Sequence, residues 1–234
     1  MAAASTYIGD TVISNGTVAV NGTLGQTAVR VAGGTLSGTG SVGSNVTVQV
    51  AGTLSPAGRG TLGTFTVASN AVLQGTAAMD LNQSAATNDV LAAAGITYGG
   101  TLALTNVAGT LTASDTFKLF EAASYSGAFA AITPATPGAG LGWNTNTLTT
   151  DGVLRLVVTV NANPTNITTS VSGSTLTLAW PADHIGWRLQ VQTNSLSTGL
   201  NTNWSDVAGS TSVNSVNVTI NPANGSVFYR MVYP

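Results

Sequence analysis

The chain has 234 residues, 43% of them hydrophobic but only 6% charged, where an ordinary soluble domain carries about 25%. Its net charge is −2, and its six basic residues (Arg30, Arg59, Lys118, Arg155, Arg188 and Arg230) stand singly, so no patch can neutralise a row of phosphates or grip an anionic membrane. Cysteine is absent, which excludes disulfides and thiolate metal sites, and no apolar run approaches the ~20 residues of a membrane-spanning helix.

No stretch reads as the alternating strands and aromatic girdles of a membrane barrel either. β-Branched residues are plentiful and charge is scarce, the reverse of a disordered composition. Thr, Ser, Asn and Gly must supply the polar surface, which suits long regular sheet faces. Met1 to Thr6 is too short for a secretion signal and lacks its basic residues, so an exported form is expected to begin at a mature terminus.

From Thr11 to Leu111 a short motif recurs, Gly-Thr followed by an apolar residue. It occurs at Gly16-Thr17-Val18, Gly22-Thr23-Leu24, Gly34-Thr35-Leu36, Gly52-Thr53-Leu54, Gly60-Thr61-Leu62, Gly100-Thr101-Leu102 and Gly109-Thr110-Leu111. Short alternating strands lie between these motifs: Thr17 to Val20, Ala28 to Val31, Val46 to Val50 and Phe65 to Val67. Gly and Asn at the joints permit tight corners. Short strands with frequent corners predict a coil of stacked rungs, apolar inside and Thr/Ser/Asn outside. The spacing is irregular, so the coil is a degenerate β-solenoid. Ala85 to Gly95 is the best stretch for a helix, but Asn88-Asp89 interrupts it, and strand with loop is expected there. Leu54 to Gly60 reads as a loop or tightened corner, and Thr133 to Gly140 as a longer Pro/Gly loop.

A strand from Val153 to Val160 ends at Asn161-Ala162-Asn163-Pro164, which reads as a linker. Beyond it the strands lengthen: Thr175 to Trp180, Trp187 to Thr193, Ser215 to Ile220 and Val227 to Val232. Three of the four tryptophans sit here. This texture predicts a compact antiparallel β-sandwich. The expected organisation is a solenoid with a capping region over 1–160 and a sandwich over 161–234.

The series Leu54-Ser55-Pro56-Ala57-Gly58, Gly60-Thr61-Leu62, Asn88-Asp89-Val90-Leu91, Gly99-Gly100-Thr101-Leu102, Phe117-Lys118-Leu119-Phe120, Gly127-Ala128-Phe129 and Gly140-Leu141-Gly142-Trp143-Asn144 resembles autotransporter-associated β-strand proteins of bacterial surfaces. That likeness covers roughly residues 11 to 160. Leu176 to Pro181, Trp187 to Gln190, Asn203-Trp204 and Phe228-Tyr229-Arg230 resemble a fibronectin-III-like module. The resemblance implies an all-β chain, a right-handed passenger-type β-helix followed by a small Ig/fibronectin-III-like sandwich. It also implies an extracellular or bacterial cell-surface structural role.

The chemistry-bearing residues are few. His184 is the only histidine and neighbours Asp183; without a nucleophile elbow a surface-turn role is expected. The eight acids (Asp10, Asp80, Asp89, Asp115, Glu121, Asp151, Asp183 and Asp206) are singly placed and read as turn and corner residues rather than a glycosidase pair. Asn88-Asp89 is the one calcium candidate, and no metal or other cofactor is expected. Trp180 and Trp187 read as core, while Trp204 and Tyr233 are the candidate glycan contacts. Asn-x-Ser/Thr sequons at Asn15, Asn21, Asn45, Asn82, Asn166, Asn203, Asn217 and Asn224 are what chance supplies in so Asn- and Thr-rich a chain.

These readings point to a non-enzymatic structural protein, a stalk or a subunit of a self-assembling surface fibre. The apolar start (Ala2 to Ala4, Tyr7, Ile8) and the apolar tail Val227 to Pro234, with Val232 and Tyr233, are the candidate assembly contacts. The alternative is an adhesin or carbohydrate-binding module, with polysaccharide or cell envelope as partner. Nucleic acid and a membrane span are not expected. Sparse charge predicts little response to pH or salt.

Overall fold

The computed structural model describes residues 5–138 and 140–233 and is all-β, with parallel sheets in its larger part. Its described helices are two three-residue 3-10 turns, Ala182–His184 and Ser210–Ser212. The chain divides into two compact units, one holding residues up to 138 with Gly142–Val157, the other 140–141 with 158–233.

In the first unit the chain alternates between two ladders of parallel strands. One runs Thr11–Ile13, Val29–Val31, Val46–Val48, Thr64–Leu73, Val90–Tyr98 and Phe120–Gly127. The other runs Thr17–Ala19, Thr35–Gly38, Thr53–Pro56, Thr76–Asn82, Thr101–Ala108 and Ala131–Thr133. The Gly-Thr-apolar motif explains the second ladder. Thr17, Thr35, Thr53, Thr76 and Thr101 stand in one register column. From the second strand on, the threonine N–H donates to the carbonyl of the glycine one strand back: Thr35 to Gly16, Thr53 to Gly34, Thr76 to Gly52 and Thr101 to Gly75. The following residues form the neighbouring column, of which Leu36, Leu54, Ala77 and Leu102 are fully buried. In the first ladder Ile13, Val31, Val48, Leu73 and Tyr98 make an equivalent buried column.

The glycines are there because the turns pass too close to the preceding strand for a side chain. A Cβ at Gly52 would sit 2.3 Å from the Val31 carbonyl oxygen, and one at Gly75 only 2.1 Å from that of Gln49. Gly75-Thr76-Ala77 belongs to the column although its third residue is small. Gly22-Thr23-Leu24 resembles the motif but lies with the first ladder, where Thr23–Leu24 pairs with Ser41–Val42. Gly60-Thr61-Leu62 and Gly109-Thr110-Leu111 fall outside the strands.

Several boundaries differ from expectation. Leu54 to Pro56 is strand, and the corner begins at Ala57, which takes a left-handed φ of 56° before Gly58 and Gly60. Phe65 to Val67 is the start of a longer strand, Thr64–Leu73. Ala85 to Gly95 is loop and strand, as expected. Tyr98 closes the C-terminal strands, 5.0 Å from the Phe120 ring and 4.9 Å from Phe129, with its hydroxyl donating to the Leu148 carbonyl.

The second unit has two three-stranded antiparallel sheets. One orders Thr168–Ser172, Thr175–Ala179 and Ser215–Thr219; the other orders Ser205–Asp206, Arg188–Asn194 and Ser226–Val232. Leu178, Trp180 and Leu189 form its buried centre.

His184 is a correction. It lies on the Ala182–His184 turn but is buried, only 3% exposed, because both ring nitrogens find acceptors. Nδ1 meets the Asp183 carboxylate at 2.7 Å and Nε2 meets the Asn163 carbonyl at 2.8 Å. The Trp187 ring packs 5.2 Å away and its indole N–H donates to the Asn161 carbonyl. Burial pulls the imidazole pKa down, but the Asn163 carbonyl and Asp183 outweigh it and hold the pKa above its ordinary value. The protonated ring is therefore favoured by folding. The stability this supplies is present at acid pH and is lost as pH rises through the folded-state pKa. Urea unfolding followed by tryptophan fluorescence should show this unit weakening as pH rises above the ordinary imidazole value of 6.5, and His184→Gln should flatten that response. An unchanged midpoint over this rise in the natural chain would contradict the assignment.

Candidate functional site

A cleft of about 1010 Å³ lies in the second unit. Its floor is the apolar face of both sheets: Ile167, Leu176 and Val218 from one side, Val191 and Tyr229 from the other. Alternation places these residues on one face of each strand, so the cleft opens directly onto the core. Burial raises the Tyr229 phenol above its ordinary pKa, so it stays a neutral donor and acceptor.

A polar strip adjoins the cleft. The Arg230 guanidinium lies 4.3 Å from the centroid of the half-buried Trp204 ring, and its Nε donates to Gln190. Gln190 in turn donates to Asp206, whose other oxygen accepts from Arg188 at 3.2 Å. The Gln190 hydrogen bond and the Arg188 charge hold the Asp206 carboxyl below its ordinary pKa. Arg230 thus covers part of the ring that a sugar would stack on. Trp204 lines the cleft. Tyr233 does not join it; its ring packs edge-on against Trp187 at 5.5 Å. Val232 pairs with Arg188 within the sheet. Tyr7 and Ile8 lie in the first unit and are 51% and 85% exposed. Ala2 to Ala4 and Pro234 lie outside the described residues.

The acids hold a feature that single placement in the sequence hides. Asp80 and Asp89 are fully buried, not surface corner residues, and they come together. The strand ending at Asn82 turns back so that Leu81 faces Asn88, which sets Asp80 and Asp89 side by side. One Asp89 oxygen accepts from the Asp80 N–H and the other from the Gly63 N–H, both at 2.9 Å. Asp80 accepts from Arg59 at 3.0 Å and from the Gly60 N–H. The pair clamps the Arg59–Gly63 corner onto the sheet. Both carboxylates are sealed from solvent as placed, so neither is poised to meet a substrate. Their oxygens are taken by N–H donors, and the Asn88 amide donates to the Asp89 and Lys118 carbonyls, which leaves this candidate calcium site committed to the protein itself. Among the described residues no three His, Asp or Glu side chains gather as a metal site. The signal in the sequence was the near-symmetric placement of Asp80 and Asp89 about a tight turn.

No protein-family model matches the chain, and no curated protein matches it.

Proposed function

We propose that this chain is an extracellular structural subunit of a bacterial cell surface, which associates with copies of itself into a fibre or stalk. In this reading the two ladders wind as a right-handed β-solenoid and the two small sheets close as a fibronectin-III-like sandwich. The observation that carries the proposal is the set of strands paired on one side only. Thr11–Ile13 pairs with Val29–Val31 alone among the described residues. Phe120–Gly127 pairs as a strand with Val90–Tyr98 alone, but its start is capped: the Phe120 N–H donates to the Gly152 carbonyl and the Ala122 N–H to the Tyr125 hydroxyl, so the Thr11–Ile13 end is the open one. A parallel ladder that ends without a blocking element presents a row of free N–H and C=O groups to another chain. A head-to-tail contact between unlike surfaces does not close, so it grows a filament. Scarce charge supports the same reading, because copies of a chain with net charge −2 repel one another little.

Negative-stain electron microscopy of material from the cell surface or medium is the test. Regular filaments or rods support the proposal, and dispersed single particles at every concentration would overturn it. The second reading, a glycan-binding surface module, is favoured by the half-buried Trp204 at the cleft. Pull-down on insoluble polysaccharide, lost in Trp204→Ala, would support that reading instead.

A further inference from the structure

The core of the second unit is open on one side. Leu178, Trp180 and Leu189 are buried, yet Ile167, Leu176, Val218 and Tyr229, which pack on them, are only partly covered. These same side chains line the cleft of about 1010 Å³. The residues lining it include members of an edge strand of each sheet, Ser215–Thr219 in one and Ser226–Val232 in the other. Ser226–Val232 pairs only with Arg188–Asn194 among the described residues. Alternate residues of such an edge direct their N–H and C=O away from the single partner. A free backbone edge beside half-covered core side chains is the shape left for one more strand. It gives β-addition both of its terms: main-chain hydrogen bonds along the edge and apolar pockets for every second side chain.

We propose that the added strand comes from a second copy of this chain, through the segment that carries Tyr7 and Ile8. This deepens the self-assembly reading above and rests on it. Three observations select the segment. Residues 6–10 lie outside the strands, and Ser5 makes a single bridge to Leu24. Ile8 and Tyr7 are among the most exposed large apolar side chains, at 85% and 51%. Residues 5–9 contain no charged side chain, so a strand drawn from them brings no side-chain charge into an apolar cleft. The next residue, Asp10, is an anion that can meet Arg230 at the mouth of the cleft. Another exposed apolar segment, around Leu196 and Leu200, is held by a net of bonds among Gln192, Asn194 and Asn201, whereas the Tyr7 segment has the Tyr7 N–H on Ser5, the Tyr7 hydroxyl on the Asp10 carbonyl and Thr27 on the Gly9 carbonyl to give up. Because donor and acceptor surfaces differ, each copy can give one strand and take another, and the chain of contacts stays open.

The test uses the full chain and its Ile8→Asp variant. Ile8 is exposed, so the variant should keep the far-UV circular dichroism of the natural chain. Its assembly, followed by light scattering, should need about tenfold more protein or more, because a charge would have to enter the cleft. Assembly of the natural chain should also slow amide exchange in Ser226–Val232. Equal assembly by the two chains, with Ser226–Val232 still exchanging freely, would overturn this contact and leave self-assembly standing. A natural chain that never assembles would overturn the self-assembly reading. A synthetic peptide of residues 1–10 then decides the cleft by itself: protection of Ser226–Val232 supports strand addition there, and unchanged exchange overturns it.

Discussion

Gly100→Ala should destabilise the first unit by about 3 kcal/mol or more, in urea unfolding followed by far-UV circular dichroism. A methyl at this position would lie 2.0 Å from the Gly75 carbonyl oxygen and 2.4 Å from that of Gln74. Both are backbone atoms of the preceding turn, so no flexible side chain can move aside. The Gly100 N–H also donates to Leu73, so shifting the turn breaks a ladder contact as well. Gly58→Ala is the matched comparison. Gly58 has a φ of +88° but nothing within 4 Å of where its Cβ would be. There the cost is only that of a left-handed alanine, about 1 kcal/mol. Equal losses at the two positions would mean that the close approach of successive turns is not what these glycines serve.

Stability should fall as pH rises from about 4 to about 7, by up to about 4 kcal/mol, through Asp89 alone. Burial pushes its carboxyl up to about 7 from 3.8, against the pull of the Asp80 and Gly63 N–H groups, with the neighbouring Asp80 charge pushing up and Arg59 pulling down. Between those two pH values the folded chain holds a proton that the unfolded chain has released. Unfolding therefore becomes easier with each unit of rising pH, and the slope vanishes outside the window. Asp89→Asn should remove the slope while losing one backbone acceptor. Amide exchange at Gly63 and Asp80 reports the same clamp locally, and should quicken as pH rises beyond the intrinsic base-catalysed rate. Stability that holds level across the window in the natural chain would contradict the raised pKa.

Scarcity of charge suggests indifference to pH, whereas the buried Asp89 and His184 predict two windows of pH response. What matters is burial, and burial is decided by partners distant in the chain. Arg59 finds Asp80 and Gly63 finds Asp89 only once the strands are stacked. His184 reaches Asn163 from the far side of the two strands Thr168–Ser172 and Thr175–Ala179, which no local pattern marks. The strands of the second ladder were legible because their cause is local: a glycine forced by close approach, a threonine facing out, an apolar residue facing in. That same local signal could not separate Gly34-Thr35-Leu36, which joins the column, from Gly60-Thr61-Leu62, which sits in a corner, since the difference lies in what passes behind the glycine. Alternation also marked Thr175 to Trp180 and Trp187 to Thr193 as strands of a small core, and Trp180 and Leu189 are its centre. The cleft beside them was not legible, because an unpaired edge is a property of what is missing next to a strand rather than of the strand.

Sedimentation velocity of the purified chain over a wide concentration range tests the central claim most directly. Open-ended self-association predicts a broad distribution that shifts steadily to larger species as concentration rises. A single boundary at 23.3 kDa throughout would contradict it.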